Sequence, residues 1–115
     1  AYVTLNARFH ALLTELSGSA PLARQIDSAA ALPFASPSGF VMAQSKLPEA
    51  HQILLIANDH HHIVVDAIEN REGSRAEAVM REHARLAARN LRLALRSRTH
   101  LDLLPALRLI QSPAI

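Results

Sequence analysis

Apolar side chains recur at intervals of three and four residues along most of this 115-residue chain. This spacing places them on one face of an α-helix, whereas a half-buried strand would alternate at every second residue. No alternating run is long enough to predict a strand. The pattern therefore predicts an all-α fold, an antiparallel helical bundle. Its first helical stripe lies between Tyr2 and Leu16 and consists of Leu5, Phe9, Leu12, Leu13 and Leu16.

Local signals predict where individual helices begin and end. Gly18 suits the left-handed position that follows a helix, so the first helix should end just before it. The pair Asn58-Asp59 is predicted as an N-cap, because either side chain can accept from free N–H groups of the next turn. A helix from His60 to Asn70 should follow this cap. Ser74 and Glu77 have the spacing of a capping box at the start of the longest helix.

Composition excludes several classes of function. The chain has no cysteine, so disulfides and thiolate chemistry are excluded. Aromatic residues make up 3% of it, too few for a platform that stacks single-stranded nucleic acid. No apolar run approaches the ~20 residues that span a bilayer. We expect residues 1–115 to form one cytoplasmic domain without a membrane partner, with the proline-containing segment 32–39 as an irregular connection.

A stripe of arginines at helical spacing runs along the longest predicted helix. Such a stripe can bind phosphate, but no aromatic or Gly/Lys residues are interleaved with it. Glu77 and Glu82 lie one turn away and can form ion pairs with it. We therefore interpret the stripe as a solvated outer face. Its members are Arg81, Arg85, Arg89, Arg92 and Arg96.

Three histidines, His10, His61 and His83, lie in separate helical stretches and are phased toward the side that each helix would bury. His60 and His62 lie about 100° to either side of His61 and should be more exposed. A buried imidazole costs free energy unless its ring nitrogens find partners. Singly, each is best explained by a hydrogen bond to a backbone carbonyl. Together, they favour a shared divalent metal.

Three segments carry a resemblance to a known family: NARFH with the following ALLTELSGS, then HHHIVVDAI, then AEAVMREHARLA. They resemble motifs of the FCD domain, the C-terminal effector domain of FadR-type GntR transcription regulators. The resemblance covers most of Leu5 to Leu95. The interval of 22 residues between His61 and His83 also suits that family.

The resemblance implies a helical bundle that holds a divalent metal through one carboxylate and three histidines, with a small organic acid beside it. The corresponding ligands are His10, His61 and His83, and Asn6 stands at the carboxylate position. Asn6 can coordinate through its amide oxygen but brings no negative charge. Zinc is the metal expected, with nickel or manganese as alternatives.

Family regulators are homodimers that bind DNA through an N-terminal winged helix, which this chain does not contain. The resemblance therefore predicts a truncated, FCD-like domain that senses a carboxylate effector and, by itself, does not bind DNA specifically. Arg8, Thr14 and Asn90 are candidate effector contacts. No catalytic residues are predicted.

Two other functions stay open from the residues alone. One is a metal-free helical interaction module, in which the histidines bind backbone groups. The other, less favoured, is a metal-dependent hydrolase, which would need a general base beside the metal. The candidates for that base are Asp59, Asp66 and Glu82, and the last two project away from the histidine face.

Overall fold

The computed structural model describes residues 1–31 and 48–96. These two segments contain four α-helices and no strand, which confirms the predicted all-α class. None of the described helices is long and apolar enough to cross a membrane. The predicted irregular connection at 32–39 lies outside the described residues. The helices are α1 (Tyr2–Leu16), α2 (Ala20–Ala30), α3 (Pro48–Glu69) and α4 (Gly73–Arg96).

The turn between α1 and α2 follows the predicted chemistry. Gly18 has a φ of 65°, in the left-handed region where a side chain would be strained. Ser19 then caps α2, because its hydroxyl accepts a hydrogen bond from the Leu22 N–H at 3.2 Å. Pro21 occupies the first turn of α2, where N–H groups have no partner within the helix, so its missing N–H costs no helical hydrogen bond.

Helix α3 runs without interruption through Asn58 and Asp59, so the predicted N-cap at this pair is wrong. Both side chains are exposed and can be solvated inside a helix. The preceding turns of α3 contain Ala50 and Ile53, which are buried in the core, with exposed fractions of 0% and 3%. Tertiary burial of those two residues outweighs the local preference for a new helix start.

The connection between α3 and α4 also differs from the predicted capping box. The N–H of Arg71 donates to Ile68 C=O and the N–H of Glu72 donates to Ala67 C=O, at 3.0 and 2.8 Å. These two bonds, with Arg71 at a φ of 58°, form a Schellman ending. Helix α4 starts immediately afterwards, at Gly73, so Ser74 lies inside its first turn rather than at its cap.

Helix α3 is the centre of the packing. The fully buried apolar side chains of the described residues all belong to it, and α4 folds back antiparallel against it. Val65 and Ile68 follow His61 by four and seven positions, which is the spacing of one helix face, but they are 45% and 40% exposed. The buried face is instead rotated toward Ala67. The core residues are Ala50, Ile53, Val64 and Ala67.

Shortening the side chain of Val64 should therefore destabilise the bundle. Val64 has no exposed surface, and Val64→Ala should lower the free energy of unfolding by about 2 kcal/mol through lost burial and a residual cavity. Urea unfolding measures this change. The matched control is Val65→Ala, which removes the same atoms from a side chain that is 45% exposed and should cost much less. Equal effects of the two substitutions would contradict this packing.

Candidate metal centre

Three helices each bring one histidine to a common point. His10 comes from α1, His61 from α3 and His83 from α4. The His10 ring centroid lies 5.3 Å from each of the other two, and the His61 and His83 centroids are 4.8 Å apart. One nitrogen from each ring can be chosen so that all three nitrogens lie within 4.8 Å of one another. The convergence expected from helical phase is thus present.

An aromatic contact between α1 and α3 orients two of these rings. The Phe9 ring stacks on His61, with centroids 4.0 Å apart and an interplanar angle of 17°. The same ring meets His10 edge-on at 5.4 Å. Because Phe9 and His10 are neighbours in the chain, the contact fixes the rotation of α1 over α3 as well as the plane of the His61 imidazole.

Each of the three histidines has a buried nitrogen without a hydrogen-bond partner. These atoms are Nε2 of His10, Nε2 of His61 and Nδ1 of His83. A buried, unpaired polar atom costs about 1–3 kcal/mol. Backbone carbonyls therefore do not satisfy these three atoms, and a bound cation would. This is the observation that separates the cluster from three ordinary core histidines.

Burial also keeps these imidazoles neutral. Desolvation, together with the nearby His83 and His10, lowers the pKa of His61 from 6.5 to about 4. Desolvation and the neighbouring His10 and His60 lower the pKa of His83 to about 4. Burial likewise lowers the pKa of His10. Because neutral imidazole is the metal-binding form, few protons compete with a metal at neutral pH.

The spacing of the rings fits a metal ion after a small adjustment. Zinc–nitrogen bonds of ~2.0–2.1 Å place tetrahedral ligand nitrogens about 3.4 Å apart. Since the nitrogens lie within 4.8 Å of one another, the widest pair would need to approach by at most about 1.4 Å. Rotation of the imidazole rings can supply a movement of that size. The residues present therefore fit a divalent metal.

Asn6 lies one helical turn before His10 and is 5% exposed. It lines a cavity of about 240 Å³ together with His61, and a cavity of about 40 Å³ together with His83. Asn6 is therefore buried beside the cluster, where the sequence placed it. Whether its amide oxygen coordinates a metal stays a prediction.

The candidate effector residues occupy three different environments. The Thr14 hydroxyl donates to the His10 carbonyl oxygen at 3.0 Å, and Thr14 lines a cavity of about 500 Å³ with His10. Asn90 lines the small cavity beside His83, and its Oδ1 is buried without a hydrogen-bond partner. Arg8 is exposed and lines none of these three cavities. Their role in effector binding stays a prediction.

His60 is closer to the cluster than its helical phase indicates. It is more exposed than His61, as expected, but its ring centroid lies 5.8 Å from that of His83 and its Nδ1 is buried without a partner. Helix α3 is covered on one side by α1 and on another by α4, so residues 100° from the centre of its buried face still reach a neighbour. The sequence signal for this contact was the place of His83 on the apolar stripe of α4. Only the packing of α4 on α3 brings that residue near His60.

The three carboxylates considered as a general base lie outside the histidine cluster. Asp66 accepts from Arg75 at 2.7 Å and Glu82 from Arg85 at 3.1 Å, and all four groups are largely exposed. Asp59 is exposed on α3. Arg81 pairs with Glu77 at 2.6 Å. These pairs agree with the solvated outer face predicted for the arginine stripe.

Comparison with protein-family models identifies the class of the molecule. The model of the FCD domain matches residues 1–86, which include all three clustered histidines. The chain belongs to the FCD domain family, whose members are C-terminal effector domains of GntR-type regulators. The family resemblance is thereby confirmed. Neither a curated protein nor a solved structure gives a significant match to the chain.

The lowered pKa values predict how the metal-free domain responds to acid. The unfolded chain protonates His61 and His83 near 6.5, whereas the folded chain does so at about 4. Between these values the unfolded chain binds more protons, so the free energy of unfolding should fall as the pH falls from 6.5 to 4. Urea unfolding of metal-free protein at about pH 7.5 and about pH 5 measures the effect.

His61→Gln should weaken this pH dependence, because it removes one of the three histidines whose pKa is lowered by burial. His62→Gln, at the exposed neighbouring position, is the matched control and should leave the dependence in place. If the stability of the unsubstituted domain were equal at both pH values, the histidines would not be buried as described.

Proposed function

We propose that this domain is the ligand-sensing part of a GntR-type transcription regulator of the FadR subfamily. It binds a divalent metal and a small organic acid, and effector binding alters DNA binding by an attached winged-helix domain. Family membership supports the regulatory role. The observation that carries the metal site is the set of three buried, unpartnered nitrogens from three helices.

The donor set favours zinc. Three neutral imidazoles suit zinc and nickel, whereas manganese prefers oxygen ligands. His10, His61 and His83 would hold the ion, and the metal would supply a positive charge with an open coordination position. Phe9 keeps the His61 ring in place, and the walls of α1, α3 and α4 shield the centre from bulk water. An anionic effector is attracted to such a centre because neutral ligands do not cancel the charge of the ion.

The position of the cluster suggests how ligand binding affects the packing of the helices. Its three ligands come from three helices, so occupancy of the centre favours one mutual packing of α1, α3 and α4 over others. In a homodimer, that bias would change the spacing of two attached DNA-binding domains. Both the homodimer and the DNA contact are part of the proposal.

Metal binding tests the proposal directly. The chain purified without nickel resin should take up one zinc ion per molecule, measured by elemental analysis, and zinc should raise its melting temperature. His61→Ala should weaken zinc binding by at least roughly 100-fold, because even loss of a group that supports a metal ligand costs 10–100-fold. His62→Ala changes an exposed neighbour and should bind zinc like the unsubstituted chain.

The same measurement separates the alternatives. A zinc content far below one per chain, unchanged by added zinc, would favour a metal-free interaction module. Equal loss of zinc in both alanine variants would show that the ion is held elsewhere. A zinc-dependent esterase or phosphoesterase activity that His61→Ala abolishes would favour the hydrolase, although the described residues place no carboxylate in the cluster.

A carboxylate at position 6 should strengthen the site. Asn6→Asp adds a negative charge beside the cluster and should raise zinc affinity by at least about tenfold. Without metal, the buried charge should lower the melting temperature, so the shift produced by zinc should grow. Competition with a chromogenic chelator and thermal melting measure the two effects.

Asn58→Asp is the control for this substitution. Asn58 lines the same 240 Å³ cavity as Asn6 and His61, but it is exposed. The same added charge should therefore change zinc affinity little. If Asn6→Asp and Asn58→Asp had equal effects, Asn6 would not lie within reach of the metal.

A further inference from the structure

Each histidine of the cluster lines a different cavity, and the three cavities differ greatly in size. His83 lines one of about 40 Å³, His61 one of about 240 Å³ and His10 one of about 500 Å³. The smallest has room for a water molecule or two. The one beside His10 falls within the range of about 300–1,000 Å³ that is typical of small-molecule sites.

The cavity beside His10 is mainly apolar. Its walls come from α1 and α2, and Met80 of α4 closes one side. Leu22 and Ile26 of α2 line it and are 42% and 40% exposed, so they present apolar surface that a ligand can cover. Burying that surface would stabilise a bound apolar group.

Few charged groups are among the described residues that line this cavity. His10 has an Nε2 that is buried without a partner, and its ring belongs to the cluster. Asp27 also lines the cavity, and no arginine or lysine does among the described residues that line it. A ligand carboxylate beside His10 would thus meet the proposed metal, and no arginine or lysine is among the described residues along these walls.

We propose that the effector is a monocarboxylate with an apolar body, such as a short fatty acid or an arylalkanoate. This inference rests on the proposed function. The carboxylate lies beside His10, and the apolar body lies between α1 and α2 against Leu22 and Ile26. A second carboxylate would lose its hydration without gaining a cation and would be repelled by Asp27. Dicarboxylates and tricarboxylates are therefore poor ligands.

A series of ligands tests this selection on the unmodified chain. Isothermal titration of the zinc-loaded protein with butanoate, hexanoate and octanoate should show affinity rising by about fourfold per added CH₂, from ~0.8 kcal/mol per buried methylene. Succinate and citrate should bind more weakly than octanoate. Equal or tighter binding of succinate or citrate would overturn the inference and leave the metal-sensing role standing.

Substitutions at Ile26 locate the apolar body. Ile26→Asp places a carboxylate in the cavity and should weaken octanoate binding by at least about tenfold without changing zinc affinity. The control is Ile68→Asp: Ile68 has the same 40% exposure but lies on α3 outside the cavity. Ile26→Arg should shift preference toward succinate. If octanoate bound equally to Ile26→Asp and Ile68→Asp, it would not occupy this cavity.

The zinc dependence of binding separates the two proposals. Omitting zinc should weaken octanoate binding if its carboxylate meets a metal at the cluster. If the chain failed to bind zinc, the proposed function would fall. The affinity for octanoate relative to succinate, and the weaker octanoate binding of Ile26→Asp, would still show whether this cavity selects apolar monocarboxylates.

Discussion

Burial of three imidazoles against one another is the constraint on which the rest of this domain depends. Their unpartnered nitrogens cost free energy, and apolar packing around α3 must offset that cost in the metal-free state. The Phe9–His61 stack belongs to the same contact and sets α1 against α3. The cluster is consequently both a costly part of the core and the point at which three helices meet.

This arrangement suits a sensor better than a purely structural site. The imidazoles are on helices rather than on loops, and desolvation keeps them in the form that binds a cation. In the proposed function, a ligand in the cavity beside His10 would contact α1 and α2, and Met80 of α4 lines the same cavity. Ligand binding would therefore act on the contacts between helices, where it can change their packing.

Much of the fold follows from local sequence pattern, whereas two predicted helix starts were wrong for different reasons. The ends of α1, the left-handed Gly18 and the inward phase of the three histidines were predictable because each depends on periodicity or on backbone geometry of a few residues. The cap at Asn58-Asp59 was wrong because burial of Ala50 and Ile53 carries the helix through that pair. The capping box at Ser74 was wrong because a Schellman ending, with Arg71 in the left-handed region, starts α4 earlier.

The sequence by itself determined the all-α class, the family and the inward phase of His10, His61 and His83, because 3.6-residue periodicity and short motifs are properties of the local chain. Tertiary structure alone decided the distances between rings, the approach of His60 to His83 and the rotation of the α3 core toward Ala67. It also decided that the cavity beside His10 is large and that no arginine or lysine is among the described residues that line it. These features depend on how helices distant in the chain pack together, and phase within one helix carries no information about its neighbour.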